Sequence, residues 1–523
     1  LIPGNNQQSD SQGIQVAIDL HPCFRARLSL QVLVRGSFMQ TATKSPPLLP
    51  QVSNDDLGQL QLYLPTLKVI SYRGPGQSGG VPTSLEPVVK RLGAKVHWFA
   101  IDGLPSQPSQ EEAQGAAFAF YNPQIPQALL EKHNQIASGY LYPLLHGMPE
   151  KAKFDAENWK SFRQLSEIIA SESLKVSSES FPTLCWLHDY QLALVAPLMS
   201  MQAGVILCQF WHVPWPSPSI MIKSPIAREL VESLLSNKII GFHTTEYALN
   251  FLNTVQELLP NAAVDVLKME VRRRSTVTRI VVMPLGIDFS LWQQLAKSTR
   301  PIAEAIGVKH RLANQVVLGV DRLDYSKGVL EKLHGIERFL ETQPNWHKRF
   351  HYVQLAQPPQ SQEADFLIYA KAVEEKVEQI NTKYSNSGWK PILFIPGQFE
   401  QSELAAWYQA ADVLAVNSIK DGLNLIAKEY VASRLDEQGA LILSKLAGCS
   451  AELAQGALLI DPNDPDDFAN NLVQALTMGV EEKRRRMTSM RRVVGWNQLH
   501  DWALGFLREA LGSKASPYQF PLG

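Results

Sequence analysis

From Leu67 onward the chain alternates short β-rich runs with longer helical patterns, and it does so twice. The first series is LKVISY, KVHWFAI, TLCWLH, VILCQFW and KIIGFH, separated by helical stretches such as SLEPVVKRL, ENWKSFRQLSEIIAS and AREL with VESLLSN. The second begins after PLGIDF and comprises QVVLGVD, FHYVQLA, PILFIPG, DVLAVNS and ALILS, separated by LEKLHGIERFLETQ and EADFLIYAKAVEEKVEQINTKY. Strands joined through helices return to their sheet as parallel neighbours, so the pattern predicts parallel sheets covered on both faces. Two series in succession predict an α/β protein of two doubly wound domains facing a cleft. The final helical run, residues 466–513, contains WNQLHDWALGFLREAL and is expected to cross back and brace the first domain. The expected partition is a loosely ordered extension over 1–58, an N-terminal domain over 59–295, a C-terminal domain over 296–495, and a crossover helix and tail over 496–523.

Composition agrees with that plan and removes several alternatives. With 523 residues, 45% of them hydrophobic, the chain can bury two large cores, which excludes disorder as its main character. Its formal net charge of -1 offers no general attraction to nucleic acid or acidic membranes, so an anionic ligand must be met by a local site. The basic runs Arg272–Arg274 and Lys483–Arg486 lie beside acidic or apolar helical sequence and read as solvated surface. Cys23, Cys185, Cys208 and Cys449 show no C-x-x-C spacing, the usage of a reducing cytosol, so a cytoplasmic location is expected. No charged residue falls between Asp189 and Lys223, but Pro197, Gly204, Pro214, Pro216 and Pro218 interrupt that stretch, which argues against a membrane span. Residues 1–58 are rich in Gln, Ser and Pro, and only IQVAIDL and LSLQVLV within them have strand character.

Residues 71–81, SYRGPGQSGGV, place Gly74, Gly76 and Gly79 at the G-x-G-x-x-G spacing of a dinucleotide-binding turn, with Asp102 where a ribose-binding acid would stand. Pro75 within the turn and Arg73 at its start speak for a charge-based role instead. A plain surface turn is the third reading. Any ligand reading needs backbone N–H groups facing an anion and a cation at the strand's end, and the loop alone does not choose between ligands.

Four other segments put polar groups at the carboxyl ends of expected strands, where open α/β sheets bind ligands. WLHDYQL carries His188 and Asp189, and FWHVPWPSPS carries His212. VDRLDYSKG brings Arg322 and Lys327 together, and NSIKDGLNLIAKEY runs from Asp421 through Gly422, Leu423, Asn424 and Leu425 to Glu429 on a helix. Each has an ordinary structural reading when taken alone: a core histidine, a helix cap, a surface ion pair, a turn. Together, Arg322 and Lys327 can neutralise a diphosphate, Asp421 and the backbone after Gly422 can grip sugar hydroxyls, and Glu429 can take a ribose diol. That set describes a nucleotide-sugar site. The sequence contains no metal-type carboxylate cluster, no G-x-S-x-G and no paired Cys and His, so neither a metal nor a hydrolase is indicated.

VDRLDYSKG, DGLNLIAKEY, HDYQL and HVPWPSP resemble the motifs of the trehalose-6-phosphate synthase family of retaining glycosyltransferases, which includes glucosylglycerol-phosphate synthases. The resemblance covers roughly residues 67–510. It implies the GT-B fold of two Rossmann-like domains, a nucleotide-glucose donor (UDP- or ADP-glucose), no required cofactor, and attack on the donor's front face within a short-lived ion pair. In that scheme Arg322 and Lys327 stabilise the leaving diphosphate, Asp189 orients the acceptor, His212 contacts the transferred glucose and Asp421 holds its hydroxyls. The leaving phosphate oxygen takes the acceptor proton. The glycine loop then serves the substrates rather than a dinucleotide: Arg73 holds the acceptor phosphate, and Gly79 and Gly80 let the backbone approach the donor.

The departures from the family pattern concern the acceptor. His133 and Tyr142 stand where Tyr and Trp are usual, Gln191 replaces a His, and Gln360 is the nearest equivalent of a missing Arg. Glucose-6-phosphate is the expected acceptor, with glycerol-3-phosphate as the alternative and a non-catalytic sugar-phosphate binder as a less favoured third. The expected partners are small-molecule sugar phosphates, with no nucleic acid and no membrane. Self-association is left open, and a separate phosphatase is expected to act on the product.

Overall fold

The computed structural model describes residues 66–77, 79–101, 118–176, 182–310, 312, 315–359, 361–386 and 388–512. The extension 1–58, Asp102 and Gln360 therefore lie outside the described residues. The N-terminal domain holds β1 (Leu67–Ser71), β2 (Val96–Ala100), β3 (Ala119–Tyr121), β4 (Thr183–His188), β5 (Val205–Phe210), β6 (Ile239–Phe242), β7 (Ala263–Asp265), β8 (Glu270–Arg273) and β9 (Thr276–Val282). The C-terminal domain holds β10 (Gln315–Arg322), β11 (Phe350–Gln357), β12 (Ile392–Pro396), β13 (Val413–Val416), β14 (Ala440–Ser444) and β15 (Leu458–Ile460).

The sheet orders are β3-β2-β1-β4-β5-β6-β9-β8-β7 and β12-β11-β10-β13-β14-β15. Both contain the doubly wound order in which the first strand of each series stands between the second and the fourth. Pairing is parallel throughout the C-terminal sheet and from β3 to β9, with only β7, β8 and β9 antiparallel. Parallel strands with helices on both faces have no solvated side, and β1 and β4 are accordingly buried at every residue. The ten strands expected from Leu67 onward are all present, and the IQVAIDL and LSLQVLV stretches lie outside the described residues. β3, the β7–β9 ribbon and β15 are additions, too short or too polar to stand out by periodicity.

Each sheet reverses its strand order between its first and fourth members. This opens a crevice at the carboxyl ends of β1 and β4 in one domain and of β10 and β13 in the other.

The chain crosses between the domains twice, and the two crossings touch. Ile287 bridges Gln498 in parallel, and a Cβ on Gly286 would lie 2.3 Å from the Asn497 carbonyl oxygen, so only glycine fits there. The Asn497 amide donates to the Pro284 carbonyl and to Glu452, each at 2.9 Å. These contacts break the expected run over 466–513 between helices Val480–Trp496 and Leu499–Leu511, and a further break at 478–479 separates off helix Pro465–Thr477.

Helix Leu499–Leu511 crosses back to the first domain. Its Trp502 ring lies 5.3 Å from Trp186 and 4.9 Å from Phe210, and Phe506 lies 5.6 and 5.3 Å from the same two rings. Buried rings of this size cost about 3–5 kcal/mol to truncate, enough to hold the helix in place. A side chain at Gly241 would meet Phe210 at 2.5 Å and Phe506 at 2.8 Å, which is why the strand carries glycine where the helix docks. Among the described residues no helix is long and apolar enough to cross a membrane.

Candidate active site

The sequence motifs converge on the crevice between the two switch points. β1 ends in Ser71, whose hydroxyl accepts from the Trp98 indole at 2.7 Å and donates to the Arg73 carbonyl at 2.6 Å. These bonds set the turn that carries Arg73. The guanidinium folds back over the glycine loop, 3.4 Å from where a Cβ of Gly79 would stand, and Gly79 itself has φ 138°. Gly80 opens helix Gly80–Leu92, and its missing Cβ would touch Leu425 of the other domain at 3.7 Å. The loop thus lies against the C-terminal domain.

β4 ends in His188, and Asp189 follows with φ 69° and ψ -179°, backbone angles almost confined to glycine and costing about 1–3 kcal/mol in any other residue. Its carboxyl accepts the His212 N–H at 3.1 Å, with the Tyr190 and Val213 amides also drawing on it. The Asp189 carbonyl accepts from Gln209 at 3.0 Å. These bonds over-determine the strained turn. Burial pushes the carboxyl up to about 7, and the three amides oppose that rise. His212 itself is depressed to about 3 by burial, so it is neutral near pH 7.

On the opposite wall β10 ends in Arg322, and the turn Tyr325–Lys327 follows, closed by Gly328 at φ 62°. A Cβ on Gly328 would fall 2.1 Å from the Asn417 carbonyl oxygen. Lys327 Nζ reaches Asp421 at 2.6 Å, and Ser418 and Asn424 donate to the same carboxylate at 3.3 and 3.2 Å. Burial by itself would raise Asp421, but the Lys327 ammonium at hydrogen-bond distance holds it at about 2. Asn424, at φ 80°, caps helix Leu425–Ser433 by accepting the Ala427 N–H at 3.1 Å. A helix N-terminus of this kind suits an anion, with the Ala427 amide already taken by the cap. One turn further, half-buried Glu429 accepts from Tyr408 at 2.9 Å, and burial lifts it to about 7.

The two walls are in contact. Gly422 presses on the first domain so closely that a Cβ would lie 2.0 Å from the His212 carbonyl oxygen. The Tyr247 hydroxyl donates to the Asp421 carbonyl at 2.8 Å. Leu423 is buried beside them. Sequence periodicity offered no signal for Tyr247, nor for Lys428. Fully buried on the helix that carries Glu429, Lys428 pairs with Glu452 at 2.6 Å and donates to the Leu285 carbonyl at 2.8 Å, tying the helix to the domain crossing.

Two expected acceptor residues have polar atoms taken up by protein partners. His133 is fully buried, sandwiched between Phe162 at 4.5 Å and Tyr72 at 6.2 Å, with Nε2 3.1 Å from the Gln191 carbonyl. Burial depresses it to about 4, so it is a neutral core residue that steadies the segment after Asp189 rather than an open cation. The Tyr142 hydroxyl bridges the domains, 2.7 Å from Asp324 and 2.8 Å from Ser326. Its polar atom is committed to the C-terminal domain. Gln360 lies outside the described residues. Among the described residues no group of three or more His, Cys, Asp or Glu is placed to hold a metal ion.

The model of glycosyltransferase family 20 matches residues 69–511. The bifunctional trehalose-6-phosphate synthase/phosphatase of Thermoproteus tenax is 31% identical over 84% of this chain, which spans 59% of that protein's length. The trehalose-6-phosphate synthase of Mycobacterium avium is 32% identical over 82% of this chain and 89% of its own. A crystal structure of an α,α-trehalose-phosphate synthase (UDP-forming) from Burkholderia xenovorans, in complex with glucose-6-phosphate, superposes with a TM-score of 0.79 at 26% identity. It is covered in full by 85% of this chain.

Proposed function

The chain belongs to glycosyltransferase family 20, and on that premise we propose that it moves glucose from UDP-glucose to glucose-6-phosphate, with retention at the anomeric carbon, to give trehalose-6-phosphate. The observation that carries this reading is the convergence of Arg322, Lys327, Asp421 and the N-terminus of helix Leu425–Ser433 on one wall of a crevice whose other wall presents Asp189 and His212. A cationic pair beside free backbone amides suits a diphosphate, and a carboxylate held ionised beside it suits sugar hydroxyls.

In the proposed reaction the bond between the anomeric carbon and the diphosphate oxygen breaks, and its electron pair leaves with UDP. Arg322 and Lys327 stabilise that developing charge. The acceptor oxygen adds to the face just vacated and passes its proton to the departing phosphate oxygen, so no protein base is required. Asp189, held in its strained turn, orients the acceptor hydroxyl. Asp421 and the backbone after Gly422 hold the glucose, and Glu429 takes the ribose hydroxyls.

Because His133 and Tyr142 are held by protein partners, we assign the acceptor phosphate to Arg73 and keep glycerol-3-phosphate as a second acceptor. Release of nucleoside diphosphate from UDP- or ADP-glucose, with each acceptor offered in parallel, tests both. Turnover with glucose-6-phosphate supports the main reading, turnover with glycerol-3-phosphate alone replaces it, and turnover with neither refutes it. Arg73→Ala is expected to raise the acceptor KM at least tenfold, the scale of one charge-assisted hydrogen bond (roughly 1.5–3 kcal/mol), and to change the donor KM much less. Equal effects on both would assign Arg73 to the diphosphate. We further propose a cytoplasmic location and a separate phosphatase acting on the product.

A further inference from the structure

Three buried polar atoms that have no hydrogen-bond partner among the described residues belong to one aromatic cluster: Trp186 Nε1, Trp502 Nε1 and His188 Nε2. Their rings are mutual neighbours, with Trp186 4.4 Å from His188 and 5.3 Å from Trp502, and His188 6.5 Å from Trp502. The other nitrogen of His188, Nδ1, lies 3.1 Å from His212 Nε2. Burial depresses both imidazoles, and the neighbouring His212 further disfavours charge on His188, so the pair holds one N–H per ring.

Such a pair has two arrangements. If His212 donates, His188 must carry its proton on Nε2, and the cluster then holds three buried N–H donors and no acceptor, since an indole nitrogen can only donate. If His188 donates from Nδ1, its Nε2 is a bare acceptor among two donors, and the cluster is electrostatically balanced. Buried donors without acceptors are the costlier defect. The second arrangement obliges His212 to carry its own proton on Nδ1. His212 is half-buried and its ring makes no other hydrogen bond among the described residues.

From this geometry we propose that His188 is a positioning residue that locks His212 as its Nδ1–H tautomer, so that His212 meets the ligand in the crevice as an obligate hydrogen-bond donor. The titratable groups around His212 agree with this assignment. His243, with its ring 5.3 Å away, uses Nδ1 to accept the Leu285 N–H, and Asp189 takes the His212 backbone amide rather than its ring. Neither competes for the ring proton. The chemical consequence is that His212 recognises a lone pair on a sugar oxygen and cannot accept from its hydroxyl. This last point rests on the proposed nucleotide-glucose reading of the crevice.

The test is long-range ¹H–¹⁵N spectroscopy of the full chain labelled at histidine, with the His212 signals identified by their loss in His212→Asn. The expected spectrum shows neutral His212 protonated at Nδ1 at pH 7. In His188→Phe the lock is gone, the Nδ1–H signature is expected to give way to the Nε2–H form, and turnover is expected to fall about tenfold, the scale of one hydrogen bond. His188→Asn, whose amide can donate from the place of Nδ1, is expected to keep the signature and most of the turnover. A native spectrum with His212 protonated at Nε2 overturns the proposal, as does an Nδ1–H form that survives in His188→Phe. The native spectrum decides even where a variant does not fold. An Nδ1–H signature in a chain without glucosyl transfer supports the tautomer lock and counts against the reading of the crevice's ligand.

Discussion

Arg322→Ala is expected to lower turnover by about 10²–10³ with little change in thermal stability, because a preorganised cation at a leaving diphosphate is worth roughly 3–4 kcal/mol of transition-state stabilisation. Arg322 sits at the carboxyl end of β10, and its one ion-pair contact among the described residues is a loose one, 3.7 Å from Asp324. Asp324 keeps its bonds to Tyr142 and to the Ser326 amide without it. The fold therefore does not depend on the guanidinium. Steady-state kinetics beside a melting curve separate the two effects: activity near that of the native chain refutes the diphosphate assignment, and a collapse in Tm makes the residue structural.

Gly422→Ala is expected to have an effect of similar size for a different reason. The backbone of Gly422 is compatible with alanine, since its φ is not positive, so the only obstacle is space. A Cβ there would lie 2.0 Å from the His212 carbonyl oxygen and 3.1 Å from the Val213 Cα, both backbone atoms that cannot rotate away. The loop carrying Asp421 must then retreat from the wall carrying Asp189 and His212. A displacement near 1 Å between reacting groups costs about 10² in rate, and overpacking costs about 1–3 kcal/mol in stability. The expected result is a loss of turnover of about 10² with a donor Kd altered less, because Arg322 and Lys327, the cations proposed for the diphosphate, lie on the C-terminal domain with the displaced loop. Native turnover in this variant would mean that the two walls do not meet in the working enzyme.

These two positions also show how unevenly the site was legible in the sequence. Arg322 and Lys327 stood out because a cationic pair after a continuous apolar run can only be a loop at a strand's carboxyl end. Asp421 and Glu429 stood out because the helix pattern begins between them. Gly422 looked like half of an ordinary Asp-Gly turn. Its close approach to His212 depends on a residue more than two hundred positions earlier, which no local pattern encodes. The contacts that hold His133 and Tyr142 are hidden from local pattern in the same way. Their partners lie 58 and 182 residues away, and a residue type at a family position does not say whether its polar atom faces a ligand or another part of the protein.

By itself the sequence determined the two doubly wound domains, the return of the last helix and the chemical class of the crevice. Strand and helix follow from local hydrophobic periodicity, and right-handed parallel crossover leaves few topologies open. The contacts made by the side chains of those motifs came from the packing of the folded chain. It supplied the strained backbone of Asp189, the Lys428 tie to the domain crossing, the Tyr142 bridge and the His188–His212 pair. The first and last are contacts between the neighbouring strand ends of one sheet, and the other two form where the domains meet, because each set of polar groups must be satisfied where it is buried.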